Sequence, residues 1–423
     1  MQKYLQLFRI PDLRNRLLTI LGLLLAFRVL AAIPTPGVNL AQLKSFLDSS
    51  TLFGFLNIFS GGGLSNLSIV MLGVGPYITA TIVMQLLTIV FPGLKKIYYE
   101  EGAMGQAKFN RISRYLTVPL AALQSYGLLE LLKSQGILAP LTALDMVRNI
   151  IVITAGSIVL MWIGELITEQ KMGNGVSLII FAGIVSGFPQ LLQGTLLSYT
   201  PAQLPTYVAF VALSLIIIAG VVFINEGERK IPISYAKRIV GNRMYGGVSS
   251  YLPLKINQAG VIPIIFAISV LLFPQFIAQI IAIISKDFSL KLQDIVNAFL
   301  NNQLFYALVY FLLVLGFTYF YTAVTFNPEE IAKNLQQSGG SIPGIRPGEP
   351  SGKHLKAVVG RVTLFGAIFL GLIAVLPIMT RYFTGIQVLS LGGTTLLIVV
   401  AVALETMKQI DSQLVLREYE GIR

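Results

Sequence analysis

Few side chains in this chain could carry out covalent chemistry. It has no cysteine and one histidine, His354. Thiolate nucleophiles, Cys–His pairs and His-ligated metal sites are therefore excluded, as is a Ser–His–Asp triad near the centre of a membrane. His354 lies in a polar stretch and reads as a solvated loop residue. Gly348-Glu349-Pro350-Ser351-Gly352-Lys353 has the composition of a phosphate-binding loop. Its glycines are one residue too close, no strand precedes it and no Ser or Thr follows the lysine. No catalytic group, metal site or cofactor is expected.

What remains is aliphatic, and an internal repeat places it. Gly73-Val74-Gly75-Pro76-Tyr77-Ile78-Thr79-Ala80 reads like Gly260-Val261-Ile262-Pro263-Ile264-Ile265-Phe266-Ala267. Gly175-Val176-Ser177-Leu178-Ile179-Ile180 reads like Gly393-Thr394-Thr395-Leu396-Leu397-Ile398. Each stretch starts an apolar run, and hydropathy points the members of a pair in opposite directions. That is the mark of an inverted-topology repeat, which places a pathway between two halves. Ile78 and Ile265 each lie two residues after the paired prolines. Ile180 and Ile398 align, and Ile82 and Ile184 lie one helical turn further on. If the halves face each other, these six side chains form a dry constriction that stops ions by dewetting. Such a ring widens around cargo without breaking a hydrogen bond or ion pair. An isoleucine in a membrane helix usually just packs or faces lipid; agreement across both repeat pairs singles these out.

The elements that position them are membrane helices. Of 423 residues, 55% are hydrophobic and 12% charged, against about 25% charged in soluble domains. The mean hydropathy is +0.76. Apolar runs long enough to cross a bilayer recur throughout. The expected fold is an all-α membrane protein of ten spans in two inverted-repeat halves. The N-terminal half, 17–200, holds spans near Leu17–Ile33, Leu64–Phe91 (broken), Tyr115–Leu132, Ile150–Ile167 and Val176–Leu192. The C-terminal half, 201–404, holds Tyr207–Ile224, Gly260–Ile284, Leu304–Val324, Val362–Ile378 and Leu391–Leu404. Residues 1–16 form a basic amphipathic segment (Tyr4, Leu5 and Phe8 against Lys3 and Arg9), expected at the cytoplasmic interface and not cleaved as a signal. Residues 405–423 form a cytoplasmic tail.

With both termini cytoplasmic, the outer loops hold only Lys44, Lys133, Arg148, Lys286, Lys291 and Arg381 among 31 Lys and Arg. The others are cytoplasmic, except Arg28 inside span one. That asymmetry sets the orientation, and Arg28 lies close enough to the outer end to snorkel. Every Asp and Glu lies in a loop or at a span end, Glu165 and Glu405 included. A secondary transporter for a small solute would also fit ten spans and inverted repeats, but ion-coupled carriers keep carboxylates near the midplane. An intramembrane enzyme would need a buried nucleophile and base.

Span two is broken. After Gly61-Gly62-Gly63 comes an apolar piece too short to span: Leu64, Ser65, Asn66, Leu67, Ser68, Ile69, Val70, Met71 and Leu72. Gly73, Gly75 and Pro76 interrupt it before Tyr77–Phe91. A small re-entrant helix inside a cavity is expected, since irregular backbone at membrane depth needs protein or water around it. The alternative is a kinked span with a frayed outer end. Two cytoplasmic loops are long. Residues 225–258 carry Arg229, Lys230, Lys237, Arg238, Arg243 and Lys255, with Ile231, Ile233 and Tyr235 alternating and Gly241-Asn242 suited to a turn, which predicts a basic β-hairpin. Residues 327–360 predict a helix over Pro328–Gln337 and a Gly/Pro-rich tip carrying Arg346. Large basic loops on one side suggest a docking surface for a cytoplasmic partner.

Several of these stretches resemble the SecY family, the pore subunit of the protein-conducting channel. They are Gly73–Leu87 with Pro76 and Gln85, Thr168–Ser177, Arg229–Arg238, Gln258–Phe266, Asn327–Ala332 and Ile345-Arg346-Pro347-Gly348. The 95–115 segment is similar to cyanobacterial or plastid members. The resemblance implies an hourglass channel whose pore ring is Ile78, Ile82, Ile180, Ile184, Ile265 and Ile398. It implies a plug at Leu64–Leu72, and a lateral gate between spans two and three and spans seven and eight, with polar contacts from Gln85 and Asn257. Arg229, Lys230, Lys237, Arg238, Arg243 and Arg346 would face the SecA motor and the ribosome. The other implied partners are SecE-like and SecG-like small membrane subunits, signal peptides, nascent chains and the lipid bilayer. The location would be a bacterial plasma membrane or a thylakoid. The cargo would be unfolded secretory proteins, with membrane segments released sideways into lipid.

Overall fold

The computed structural model describes residues 10–35, 57, 60–99, 101–134, 136, 138, 142–197, 204–235, 238–240, 243–245, 249–284, 286–384 and 392–421. The first helix, α1, runs over Pro11–Ala32. It is followed by α2 (Gly75–Val90), α3 (Pro92–Tyr99), α4 (Gly102–Ser134), α5 (Ala143–Glu169) and α6 (Gly175–Leu197). The C-terminal half contains α7 (Leu204–Glu226), β1 (Glu228–Tyr235), β2 (Arg238–Val240), β3 (Arg243–Tyr245) and β4 (Ser249–Lys255), then α8 (Ile262–Ile284), α9 (Lys286–Asn301) and α10 (Gln303–Thr325). It closes with α11 (Pro328–Gln337), β5 (Gly340–Ser341), α12 (Glu349–Thr384) and α13 (Gly392–Gly421). The predicted amphipathic segment falls largely on residues 1–9, outside the described residues.

Local chemistry sets many of these boundaries. Pro11 sits in the first turn of α1, where its missing N–H costs nothing. Asn302 caps α10 by accepting from the Phe305 N–H at 3.2 Å. Asn327 caps α11, accepting from Glu329 and Glu330 at 3.2 and 3.4 Å, and Pro328 follows at its first position. The helix predicted over Pro328–Gln337 is found with those bounds. Three helices overrun their apolar spans by more than ten residues. α4 starts at Gly102, α12 starts at Glu349 and α13 continues to Gly421, because hydropathy marks where a helix leaves the bilayer, not where it ends. α9 was not anticipated: its sequence is too polar to read as a span.

Among the described residues, Pro11–Ala32, Ala143–Glu169, Gln303–Gln337 and Glu349–Thr380 are long and apolar enough to cross a bilayer. Gly75–Thr88 and Pro92–Tyr98, bent by 113°, would make a fifth; Gly175–Pro189, Val211–Glu226 and Ile262–Gln275 are shorter apolar helices. The chain is an integral, multi-pass membrane protein.

The paired sequence motifs open α2 and α8 in one case, α6 and α13 in the other. These same helices meet where the halves touch. α8 packs against α2 and α4 on one side, and α13 packs against α6 on the other. Within the halves, α4 lies on α2 and α5, and α12 lies on α10 and α13.

At the end of α7 the chain forms a small sheet. β1 pairs antiparallel with β4, Ile231 opposite Leu252 and Ile233 opposite Ser250. The predicted hairpin is therefore present, with β2–β3 nested inside it. The turn at Gly241-Asn242 lies outside the described residues. A strand not foreseen, β5, comes from the other long loop and pairs with β1, Ser234 opposite Ser341. Ile231, Leu254, Ile342, Leu355 and Val359 form a buried cluster joining this sheet to α12. Leu355 has 0% of its surface exposed. Leu355→Ala should cost about 2–4 kcal/mol of local stability. Hydrogen exchange should show faster opening of β1 and β4 with the buried membrane helices unchanged.

Candidate functional site

α2 and α8 start with a proline in the first turn, so neither needs a capping partner for that N–H. This lets each helix begin abruptly, right after the irregular backbone around Gly73 and Gly260. Ile78, Ile82, Ile180, Ile265 and Ile398 are all under a tenth exposed. Ile184 is half-buried and packs against the same apolar cluster. That cluster draws on both halves and includes Val70, Val74 and Ile264. It also extends to Phe27, Leu160 and Val314, so burial alone does not single out the six. Position does: each lies within the first three turns of one of the four helices opened by a repeat motif.

Residues 60–74 are built of turns, not the expected helix. The N–H groups of Leu67, Met71 and Gly73 each reach back three residues, to Leu64, Ser68 and Val70, at 3.0, 2.9 and 2.8 Å. A continuous helix is prevented by positive φ at Gly61, Gly62 and Gly73, and also at Leu67 (40°). Leu67 turns outward toward the chain after α1. Thr35 N–H donates to the Leu67 carbonyl at 2.8 Å and Ile69 N–H to the Ile33 carbonyl at 3.0 Å. The Thr35 hydroxyl adds a second bond to Leu67 O at 2.5 Å. Ser68 donates its hydroxyl to Gly63 O at 3.0 Å, and Ser60 Oγ accepts from Leu64 N–H at 3.0 Å. The segment thereby satisfies its backbone without a helix.

It also joins two apolar bodies. Leu64, Leu67, Met71 and Leu72 pack with Leu128, Leu129, Leu132 and Ile153 of α4 and α5. Val70, 0% exposed, belongs to the isoleucine cluster. Ser65 and Ile69 are half-buried and Asn66 is exposed.

Arg28 is half-buried and has a partner within the protein. Its Nη1 donates to the Gly61 carbonyl at 2.7 Å, and its guanidinium lies 5.8 Å from the Phe27 ring centre. Gly61 is enclosed: a Cβ there would strike the Phe27 ring, and a Cβ on Gly183 of α6 would strike Gly61 Cα. On α5, a Cβ at Gly156 would strike the Ile69 carbonyl. Phe27, Thr35, Gly156 and Gly183 were not picked out from sequence. The Gly61-Gly62-Gly63 run was the one visible hint that backbone is closely approached here.

The remaining candidates are scattered. Gln85 on α2 is buried, and its Oε1 has no hydrogen-bond partner. Asn257 is not bonded to it. It donates within its own half, to Asn225 Oδ1 at 2.8 Å and Gly260 O at 3.1 Å, so it fixes the corner between β4 and α8. Within the C-terminal half α8 also packs on α10, where Phe266 meets Phe317 and Tyr321 edge-on at 5.8 and 6.1 Å. Glu165 is held by Arg114 Nε at 2.6 Å. Arg229 and Lys230 are exposed on β1, and Lys230 stacks over Tyr251 at 4.8 Å. Arg238 and Arg243 lie on β2 and β3; Lys237 is outside the described residues. Arg346 is exposed, and the buried Ser351 hydroxyl donates to its carbonyl at 2.8 Å.

Two halves of apolar helices meet at paired seams around an aliphatic cluster, with a segment of turns packed against it. This is the architecture of a membrane-embedded protein-conducting channel. The SecY family model matches residues 68–407, and the chain belongs to that family. It is 43% identical to the protein translocase subunit SecY of Mycobacterium tuberculosis, covering 99% of this chain and 98% of the relative. It is 42% identical to the protein translocase subunit SecY of Corynebacterium glutamicum, covering 100% of both. The fold is similar to that of a SecY channel whose plug domain is described as stabilising the closed state and maintaining a membrane seal (TM-score 0.61, 20% identity, 94% of this chain and 90% of that one). It is similar too to Sec61 in a canine ribosome–channel complex of the endoplasmic reticulum (TM-score 0.61, 18% identity, 95% and 91%).

The tight approach of Gly156 to Ile69 makes one expectation sharp. Gly156→Leu should push residues 60–74 off α5 and raise the resting ion conductance of reconstituted channels several-fold, since a dewetted constriction blocks ions only while closed. Gly156→Ala should have a smaller effect. Conductance unchanged in a correctly inserted Gly156→Leu channel would show that this packing does not seal the pathway.

Proposed function

We propose that this chain is the central pore-forming subunit of a Sec translocon. It passes unfolded secretory proteins across the membrane and releases membrane segments sideways into lipid. One observation carries the reading. The repeat-equivalent helices α2 and α8, and α6 and α13, meet across the halves and bring isoleucines from both into one cluster with Val70. In this reading Ile78, Ile82, Ile180, Ile184, Ile265 and Ile398 form the constriction, and Leu64–Leu72 is its plug.

The ten spans divide into halves at about residue 200, with both termini cytoplasmic. The seam of α2 and α4 against α8 and α10 is the lateral exit. An apolar segment gains roughly 0.8 kcal/mol per CH₂ on leaving water, so a sideways opening is enough to drive release once a hydrophobic segment reaches it. No nucleotide site is assigned to this chain. The energy comes from a motor of the SecA kind, from an elongating ribosome or from the membrane potential, and SecE-like and SecG-like subunits clamp the halves. The chain acts as a conduit and not as an enzyme.

Because the chain lacks cysteine, single cysteines at Ile78, Ile180 and Ile265 are unambiguous probes. Crosslinks from all three to one stalled secretory precursor are the expected result. Labelling of these sites by small solutes without contact to precursor would replace the channel with a solute carrier.

The basic loops are the docking face. Their attraction for acidic protein surfaces or ribosomal RNA weakens as salt rises. Arg346 projects from a tip held by Ser351 and backed by the β1–β5 pairing. Arg346→Glu should lower motor-driven translocation about tenfold, equivalent to ~1.4 kcal/mol of lost coupling, while leaving resting conductance unaltered. Equal translocation rates in the two proteins would place the coupling surface elsewhere.

A further inference from the structure

α9 joins the end of α8 directly to the start of α10, so it sits at the membrane boundary opposite the β-sheet. One side of it is spoken for. Ser289 and Val296 are buried, and Leu292, Gln293, Phe299 and Leu300 are half-buried; they recur at the three- and four-residue spacing of a single helix face. Ser289 Oγ donates to the Ala278 carbonyl of α8 at 2.8 Å. Phe299 meets Phe305 and Tyr306 of α10 at 5.6 and 5.7 Å. α9 thus lies across the ends of both helices.

The rest of its surface is divided. Phe288 and Ile295, seven residues apart and so on one flank, are 57% and 66% exposed. The crest beside them carries exposed Lys291 and Asp294. Ile277 of α8 and Leu308 of α10 are likewise exposed apolar residues, 45% and 54% exposed; α10 is long and apolar enough to cross a bilayer, and α8 begins as a shorter apolar helix. A helix with an apolar flank, a charged crest and apolar helices at both ends has the composition of an interfacial helix.

We propose that α9 is a lipid-interface helix. Its Phe288–Ile295 flank enters the acyl boundary of the leaflet facing away from the basic loops, with Lys291 at the level of the phosphates. Through the Ser289–Ala278 bond it anchors that end of α8 to the lipid surface. The consequence for the exit rests on the reading of α8 as a gate helix: to part from α2, α8 must drag α9 along the interface, so lipid packing in that leaflet would load the gate.

The chain has one tryptophan, Trp162, so Trp162→Phe gives a silent background. Phe288→Trp and Asp294→Trp are then compared in assembled complexes in vesicles of brominated phospholipid. Trp at 288 should be quenched roughly two-fold or more by the brominated acyl chains and shielded from iodide; Trp at 294 should show the reverse. Iodide quenching at 288 without bromolipid quenching would place the flank in water. Shielding from both would place protein over it. Either result overturns the proposal. Quenching is read without cargo, so its failure beside intact precursor crosslinks at Ile78 removes only this inference. Lost crosslinks beside normal quenching would remove only the channel reading.

Discussion

The constraint on which this structure turns is that backbone polar groups at membrane depth must find partners inside the protein. An unpaired amide in hydrocarbon costs several kcal/mol. Helices meet this automatically, but the short segment before α2 is not a helix. Residues 60–74 meet it by other means. Three-residue turn bonds run along the segment, a bridge ties Ser68 to Pro34, serine hydroxyls fill the gaps and Arg28 covers the Gly61 carbonyl. Each bond is individually modest, about 0.5–1.5 kcal/mol net. A segment held this way keeps its backbone paired without being a continuation of α2.

The second theme is how two halves enclose a pathway. Inverted repeats bring equivalent helices together, so α2 meets α8 and α6 meets α13. The residues they contribute are branched aliphatics, whose contacts are numerous, weak and non-directional. Such a surface can close and reopen without leaving a buried charge or donor unpaired. Charged groups have partners or lie outside it: Glu165 is occupied by Arg114, Arg28 bonds the Gly61 carbonyl, and Arg229, Lys230 and Arg346 are exposed on β1 and at the tip before α12. The aliphatic cluster and the basic sheet are thus distinct parts of the chain. They are linked mechanically, because β4 leads through the Asn257 corner straight into α8.

The helices were largely legible from sequence, since a twenty-residue apolar run has one stable form in lipid. The alternation of Ile231 and Ile233 identified β1 for the same kind of reason: period two admits one buried face. The repeat motifs place the six isoleucines in the first turns of four helices, and the structure buries five of them and half-buries Ile184. Where sequence reading fell short, the missing information was long-range. Nothing local says that Gly340 and Ser341 pair with β1, joining two loops more than a hundred residues apart. Nor does local sequence reveal that Asn257 turns toward Asn225 instead of the α2–α8 seam. The expected helix at Leu64–Leu72 gave way to turns because Leu67 and Ile69 are claimed by the chain after α1.

The sequence by itself determined the solvent of this protein, most of its helices and its repeat. All of these follow from composition and spacing, which act through transfer free energy along the chain. Only the tertiary structure decided which glycines face which backbones. Gly61 meets Gly183 and Phe27, and Gly156 meets the Ile69 carbonyl. It also decided that Arg28 finds a carbonyl partner at Gly61, and that α9 lies across α8 and α10. Those outcomes depend on contacts between residues far apart in sequence, where a single missing Cβ decides whether two backbones can touch.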